Sequence, residues 1–173
     1  MNDETASVHR HHRTAPQNLV VGVLTVSDTR TLEDDTGGAL VSQLLEGAGH
    51  QVVGRRIVKD DAEEIRAAVE ELLASLDIQA VILTGGTGVA PRDVTPEAIA
   101  PLLDRELPGF GELFRLLSYE EIGAAALLSR ATAGLSRGRV LFALPGSRGA
   151  IRTALEKLIL PELGHLVGEG RKG

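Results

Sequence analysis

Residues 84–93 are the segment best suited to bind a ligand, because they combine glycines, hydroxyl groups and side chains of both charges. It begins with Thr84, Gly85, Gly86, Thr87 and Gly88 and ends with Arg92 and Asp93. Because glycine has no side chain, such a loop lets backbone N–H groups approach a ligand closely, and several of these groups together bind an anion. The segment therefore predicts a phosphate-binding loop.

This loop follows a predicted strand and matches no common nucleotide-binding motif. Residues 80–84 form a short apolar run rich in β-branched residues, which is typical of a strand covered on both faces. The loop lacks both the GxxxxGKS/T pattern of P-loop proteins and the GxGxxG pattern of dinucleotide-binding proteins. The sequence thus predicts N–H donors and two threonine hydroxyls at a strand end, without specifying a reaction.

Three other polar segments follow predicted strands, and with the glycine loop they indicate one site. They contain Ser27 and Asp28, Asp60 and Asp61, and Pro145, Gly146 and Ser147. Ligands of open α/β sheets bind outside the carboxyl ends of the strands, where such loops meet. A single Gly-Gly or Pro-Gly segment is as often an ordinary surface turn. Four polar segments in this position favour a shared ligand site.

Asp60 and Asp93 are the carboxylates expected to lie close together, because each follows a strand and the two strands are predicted to be neighbours. Magnesium favours one or two carboxylates plus substrate phosphates over a site built only from protein groups. The pair therefore predicts a Mg²⁺ site. Two structural alternatives stay open: Asp60 caps the following helix, and Asp93 pairs with Arg92.

The elements that position these loops alternate along the chain. Apolar runs predict strands at residues 19–26, 52–58 and 80–84, and a hairpin over 131–136 and 140–144. Apolar residues at helical spacing predict helices at residues 40–48, 65–76, 95–104, 110–117, 122–128, 149–159 and 161–167. Asp61, Thr95 and Ser147 are the expected N-caps. The alternation predicts an α/β fold with a mostly parallel sheet covered on both faces, in which strand 52–58 lies near the edge.

Composition restricts the size and organisation of the protein. With 173 residues, 43% of them hydrophobic, the chain is expected to form one domain, over residues 19–168. Residues 1–18 are predicted to be a disordered polar tail, and residues 169–173 a second short tail. No function is assigned to the histidines at positions 9, 11 and 12.

Charge, aromatic content and cysteine usage exclude several functions. A net charge of −6 and 2% aromatic residues disfavour nucleic-acid binding, and the absence of cysteine excludes disulfides and cysteine-bound zinc. No apolar run approaches the roughly 20 residues of a membrane helix or the core of a signal peptide, so a soluble, cytoplasmic protein is expected. Ser27 and Ser147 lack the GxSxG context of a serine hydrolase.

Six segments spread over the chain form a recognisable set of motifs. They are TVSDTR at residues 25–30, DTGG at 35–38, TGGTG with PRDVTPEA within 84–98, DRELPGFGELFR at 104–115, LSRA at 128–131 and PGS at 145–147. Together they resemble the molybdenum-cofactor biosynthesis proteins of the MoaB/MogA type. The resemblance spans residues 19–167, and the block within 84–98 is its most specific part.

This resemblance implies both a fold and a reaction. The fold is a three-layer α/β/α domain of the molybdopterin-binding type, which assembles as a homotrimer and in some members as a hexamer. Active members of the family transfer AMP from MgATP to the terminal phosphate of molybdopterin, giving adenylylated molybdopterin and pyrophosphate. The implied ligands are molybdopterin, ATP as co-substrate and Mg²⁺.

The resemblance also implies residue roles. The two acidic residues essential in the family correspond to Asp60 and Asp93, as catalytic residues and metal ligands. The loop beneath the nucleotide and pterin phosphates corresponds to residues 84–88, and the first and last strand loops to the segments with Ser27, Asp28 and residues 145–147. The pterin pocket corresponds to the segments that contain Glu112, Arg115, Ser129 and Arg130.

Three functions remain open at this point. Residues 111–123 resemble the MoaB branch, some members of which lack adenylylation activity, although both motif acids are present here. One alternative is a catalytically inactive molybdopterin-binding or carrier protein of the same pathway. Another is an interaction subunit that contacts other molybdenum-cofactor enzymes. The apolar residues between 110 and 119 belong either to an interface between subunits or to the core.

Overall fold

A six-stranded sheet forms the centre of the fold. In this computed structural model, which describes residues 17–172, the strands are β1 (Val20–Val26), β2 (Gln51–Val58), β3 (Ala80–Thr84), β4 (Arg105–Glu106), β5 (Thr132–Ser136) and β6 (Arg139–Leu144). Their order is β2-β1-β3-β6-β5-β4. Strands β2, β1, β3 and β6 are parallel, whereas β5 runs antiparallel to both β6 and β4. The predicted N-terminal tail, with its three histidines, lies outside the described residues except for its last two positions.

Helices cover both faces of this sheet. They are α1 (Thr36–Gly47), α2 (Ala62–Ala74), α3 (Thr95–Ile99), α4 (Pro108–Ile122), α5 (Arg148–Ala154) and α6 (Leu160–Gly170). Along β3, Ala80 and Ile82 enter the core beneath α1, α4, α5 and α6, and Val81 and Leu83 enter the core beneath α2 and α3. Successive strand residues point to opposite faces, so a strand covered on both sides is apolar throughout. The predicted three-layer α/β/α architecture is confirmed.

Two predicted helix boundaries are wrong. The helix predicted at residues 110–117 runs from Pro108 to Ile122, and the helix predicted at 122–128 is a 3₁₀ helix, Gly123–Leu128. The polar end of α4 stays helical because Ser118 is buried and Glu121 accepts hydrogen bonds from Thr153 and Lys157. These partners are more than thirty residues away, so local periodicity does not reveal them.

The C-terminal helix is also longer than expected. The last helix begins near Pro161, as expected, but a π-helical turn, Leu155–Ile159, joins it to α5 with helical backbone angles at both junctions. It ends at Gly170, whereas residue 167 was the predicted end and residues 169–173 were predicted to be a tail. Proline lacks the N–H group that an α-helix needs, and the wider π turn directly before it accommodates the missing bond.

The helix predicted at residues 95–104 is α-helical only to Ile99, and the two-residue strand β4 was not predicted. Three other sequence predictions are confirmed. The hairpin turn consists of Arg137 and Gly138, both with positive φ, and β2 is an edge strand. Asp61 caps α2 through bonds from the N–H groups of Glu63 and Glu64. None of the helices within residues 17–172 has the length and apolar character needed to cross a membrane.

Candidate active site

The four polar segments meet at the carboxyl ends of the parallel strands. They follow β1, β2, β3 and β6, and these strands are parallel, so their carboxyl ends lie on the same side. Two backbone bonds join the segments: the Ser27 N–H donates to the Val58 carbonyl at 2.8 Å, and the Gly85 N–H donates to the Leu144 carbonyl at 2.9 Å. The hydroxyl of Thr84 also donates to the Pro145 carbonyl at 3.2 Å. The structure therefore brings the predicted loops together.

Asp60 and Asp93 flank the glycine loop, and Gly86 has no room for a side chain. A Cβ atom at this position would lie 2.6 Å from Oδ1 of Asp60 and 2.4 Å from the Thr95 hydroxyl, and its φ of +64° disfavours other residues. A Cβ atom on Gly88 would lie 2.7 Å from Oδ2 of Asp93. The two carboxylates thus lie against two glycines of the same loop.

Thr95 fixes the first half of this loop. Its N–H donates to the Gly86 carbonyl at 3.0 Å, and its hydroxyl donates to the Gly85 carbonyl at 2.9 Å. The prediction that Thr95 caps the following helix is wrong, because Thr95 lies in the first turn of α3 after the cap position, Val94. Its hydroxyl is taken by the loop, a contact that the helix-start pattern does not reveal.

The N–H groups of residues 86–88 are left for a ligand. The carbonyls of residues 85–88 all accept hydrogen bonds, from Thr95 or from Arg130. Within residues 17–172, by contrast, the N–H groups of residues 86–88 have no hydrogen-bond partner. Turning the carbonyls towards the protein and leaving successive N–H groups unpaired gives the arrangement that binds phosphate.

Asp60 carries a carboxylate in an unfavourable environment. Its Oδ1 is buried and has no hydrogen-bond partner among the described residues. Its pKa is raised from the ordinary value, first by burial and then by the charges of Asp28 and Asp93, while Arg92 partly opposes the shift. Asp28 accepts a hydrogen bond from the Asp60 N–H at 3.1 Å, so it lies directly beside this group. Clustered acidic groups with an unpaired oxygen are the electrostatic pattern of a cation site.

One premise and two structural alternatives predicted from the sequence for Asp60 and Asp93 are wrong. The strands that precede Asp60 and Asp93 are not neighbours, because β1 lies between β2 and β3. The carboxylates still approach one loop, since the segments after β2 and β3 both extend over the end of β1. Asp61, not Asp60, caps α2. Asp93 accepts a hydrogen bond from the Ala90 N–H at 2.9 Å, and among the described residues it forms no ion pair with Arg92.

The acidic groups fit a magnesium ion held partly by a ligand. In the part of the chain that the structure describes, no three His, Cys, Asp or Glu side chains form a complete metal cage. Mg²⁺ does not need one, because it commonly uses one or two carboxylates together with phosphate oxygens and water. The orphaned oxygen of Asp60 beside the phosphate-binding loop meets this description.

A small polar cavity of about 110 Å³ lies beside the glycine loop, at the start of α1. Asp35, which the sequence reasoning did not select, organises its wall: its buried carboxylate accepts bonds from the Thr25 hydroxyl at 2.8 Å and the Gly38 N–H at 2.9 Å. Arg55 from β2 completes this group at 3.3 Å. The helix-cap position of Asp35 was the available signal, since capping carboxylates precede helices.

The two predicted serines shape the backbone of the site. The hydroxyl of Ser27 accepts bonds from the N–H groups of Thr29 and Arg30, which closes the turn after β1. Ser147 caps α5, as expected, by accepting a bond from the Ala150 N–H at 3.3 Å. Both hydroxyls thus bond to nearby backbone N–H groups, and neither bonds to a histidine within the residues that the structure describes.

A larger cavity of about 580 Å³ contains the residues assigned by resemblance to the pterin pocket. Glu112 and Arg115 of α4 line it together with Ser129 and Arg130, which follow the 3₁₀ segment. A cavity of about 200 Å³ lies between α4 and the glycine loop and shares Ser129 with the larger one. The structure therefore brings these four residues together, adjacent to the phosphate-binding loop.

Comparison with known proteins gives consistent matches. Residues 22–165 match the family model described as a probable molybdopterin binding domain. The molybdenum cofactor biosynthesis protein B of Bacillus subtilis (strain 168) is 52% identical over 169 residues, which cover 96% of this chain and 98% of that protein.

Solved structures agree with the sequence matches. A crystal structure of a molybdenum cofactor biosynthesis protein B has a TM-score of 0.89 at 50% identity and covers 92% of this chain and 100% of its own. The tungsten cofactor synthesizing protein MoaB from Pyrococcus furiosus has a TM-score of 0.83 at 42% identity, with 91% and 100% of the two chains covered.

Proposed function

The chain belongs to the MoaB family of molybdenum cofactor biosynthesis proteins, and we propose that it transfers AMP from ATP to molybdopterin. In this reaction an oxygen of the terminal phosphate of molybdopterin forms a bond to the α-phosphorus of ATP. The bond between that phosphorus and the bridging oxygen breaks, and pyrophosphate leaves with its electrons. The products are adenylylated molybdopterin and pyrophosphate.

One observation carries the proposal: two carboxylates, one with an orphaned oxygen, lie against a loop in which the N–H groups of residues 86–88 have no partner among the described residues. The N–H groups of residues 86–88 bind phosphate oxygens and fix the two reacting groups in position. The attacking group is already an anion, so positioning and charge neutralisation matter more than a general base. Asp60 and Asp93 hold magnesium, which neutralises phosphate charge when it is bound.

The larger cavity supports the assignment of the second substrate. Arg115 supplies positive charge and Glu112 and Ser129 supply polar groups, which suits the heterocycle and phosphate of a pterin. The smaller cavity between α4 and the glycine loop shares Ser129 with it and is lined by Thr87 and Gly88. A molybdopterin bound in the larger cavity would therefore extend its terminal phosphate through the smaller one towards the loop.

Product analysis tests the proposal. Wild-type protein mixed with molybdopterin, ATP and Mg²⁺ is expected to form adenylylated molybdopterin and pyrophosphate, and Asp60→Ala is expected to lose most of this activity. Asp77→Ala serves as the control, because Asp77 is exposed and follows α2 away from the site. Wild-type protein without product, or an Asp60→Ala protein with undiminished turnover, contradicts the assignment.

A molybdopterin-binding protein without transferase activity is the second candidate. It is favoured by the lining of the larger cavity, which contains neither Asp60 nor Asp93, so pterin binding does not require the carboxylates. Calorimetry distinguishes the two functions: a carrier binds molybdopterin with the same affinity with or without MgATP and forms no pyrophosphate.

Self-association through α4 is part of the proposal. Leu113, Leu116, Tyr119 and Ile122 are each more than half exposed on this helix, an apolar surface that a soluble monomer rarely presents. We expect a homotrimer or a hexamer. Leu116→Glu should shift the sedimentation profile towards monomer. Leu76→Glu, at a leucine after α2 that is even more exposed (88% against 58%), should leave the profile unchanged. A wild-type monomer contradicts this part.

A further inference from the structure

We propose that Arg130 is a positioning residue, which holds the glycine loop in its anion-binding conformation and does not bind the pterin. The resemblance assigned this arginine to the pterin pocket, but its donors point elsewhere. Nε donates to the Gly88 carbonyl at 2.8 Å, Nη2 donates to the Asp93 carbonyl at 2.5 Å, and Nη1 contacts the carboxylate of Glu97. All three nitrogens are therefore engaged within the protein.

These bonds hold both ends of residues 87–93, the part of the segment that follows Gly86. The backbone N–H of Arg130 also donates to the Thr87 carbonyl at 3.0 Å, so one residue fixes three carbonyls between positions 87 and 93. The residues in between form a turn closed by a bond from the Asp93 N–H to the Ala90 carbonyl at 2.9 Å. In a planar trans peptide the carbonyl points opposite to the N–H of the next residue. Because Arg130 holds the carbonyls of Thr87 and Gly88, the N–H groups of Gly88 and Val89 are directed away from it.

The contacts of the Arg130 guanidinium distinguish a positioning role from a catalytic one. Arg130 bonds to the backbone of Asp93 and not to its carboxylate, so it does not neutralise the group proposed to hold magnesium. Its own charge is balanced by Glu97, whose carboxyl pKa is lowered chiefly by this hydrogen bond. That ion pair is partly exposed and contributes little by itself. The bonds to the carbonyls of Gly88 and Asp93 are therefore what hold the loop in position.

Arginine is required for this arrangement because of its shape. A planar guanidinium presents donors in fixed, separate directions and reaches three acceptors at once. A lysine ammonium is a single point and cannot bridge Gly88, Asp93 and Glu97 together. Arg130→Lys therefore keeps the charge and removes the clamp, which makes it the informative substitution.

Arg139, the first residue of β6, provides a matched control at the opposite end of the strands from the glycine loop. Its guanidinium likewise bonds to backbone carbonyls, to Ile78 through Nε at 3.1 Å and to Ser75 through Nη2 at 3.0 Å. Arg139→Lys thus removes the same kind of contact without touching the glycine loop.

Amide hydrogen exchange of the full-length protein without ligand tests the proposal. In Arg130→Lys the N–H groups of Asp93 and Thr95, which are bonded to loop carbonyls, should exchange at least about tenfold faster, because charge-assisted bonds are lost. In Arg139→Lys they should exchange as in wild type. Exchange at Asp93 and Thr95 within about twofold of wild type in Arg130→Lys, or equal acceleration in both variants, overturns the proposal.

A kinetic readout deepens the test and rests on the proposed function. Arg130→Lys should lower kcat for AMP transfer about tenfold or more while the KM for molybdopterin changes less than about threefold, since the ligand contacts remain. A raised KM with unchanged kcat identifies Arg130 as a pterin ligand and overturns the proposal. If wild-type protein transfers no AMP, the proposed function fails alone, and the exchange result still decides the role of Arg130.

Discussion

Replacing Gly86 by alanine introduces a methyl group where the structure has no space for it. The new Cβ atom would lie 2.4 Å from the Thr95 hydroxyl and 2.6 Å from Oδ1 of Asp60. The left-handed backbone, with φ of +64°, costs about 1–2 kcal/mol for an L-residue, and overpacking costs about 1–3 kcal/mol more. We therefore expect Gly86→Ala to lower the free energy of unfolding by about 2–5 kcal/mol.

Thermal denaturation measures this loss. For a domain of this size, about 1 kcal/mol shifts Tm by 2–4 °C, so Tm should fall by roughly 4–20 °C. Gly47→Ala is the control, because a Cβ atom at Gly47, in the last turn of α1, meets nothing within 4 Å and should leave Tm unchanged or slightly higher. A Gly86→Ala protein as stable as Gly47→Ala would falsify the close approach of Asp60 and Thr95 to the loop.

Two further predictions concern the partly buried Asp60 and the buried Asp35. Asp60→Asn should raise the free energy of unfolding near pH 7, because burial, Asp28 and Asp93 disfavour the carboxylate in the folded protein. In denaturant titrations this gain should vanish once the pH falls below the ordinary carboxyl pKa of 3.8, because Asp60 is then neutral in both the folded and the unfolded protein. A constant difference across pH contradicts that account. Asp35→Ala should lower the free energy of unfolding by about 2–4 kcal/mol through loss of the cap and of buried bonds, whereas Asp77→Ala should change it by less than about 0.5 kcal/mol; equal effects contradict it.

Five of the six strands of the sheet, and the polar loops at the carboxyl ends of its parallel strands, were predictable because their signals are local, whereas the two-residue strand β4 was not predicted. The apolar runs of β1, β3 and β6 follow from burial on both faces, and the turn at Arg137 and Gly138 follows from its residue types. The meeting of the Asp60 and Asp93 loops follows from a general property of parallel sheets, although the strand order was wrong. Residue type and spacing therefore predicted which loops meet at the carboxyl ends of the strands.

The remaining features depend on contacts between residues distant in sequence. Thr95 has the pattern of a helix cap, but its hydroxyl bonds to a carbonyl ten residues earlier. Arg130 lies in a segment assigned to a pocket, and its side chain reaches Gly88, forty-two positions away. Asp35 becomes important only when Arg55 of the edge strand meets it. Local propensity cannot report these partners, because each is selected by the packing of the completed sheet.

The rate of AMP transfer in Asp60→Asn, Asp93→Asn and the double variant tests most directly whether the two carboxylates act together on one metal ion. If both hold the same magnesium, each single change removes the site. Each should then lower kcat at least about a hundredfold, and the double variant should be no slower than the slower single variant. Losses that multiply in the double variant, or transfer near the wild-type rate in either single variant, contradict the shared site.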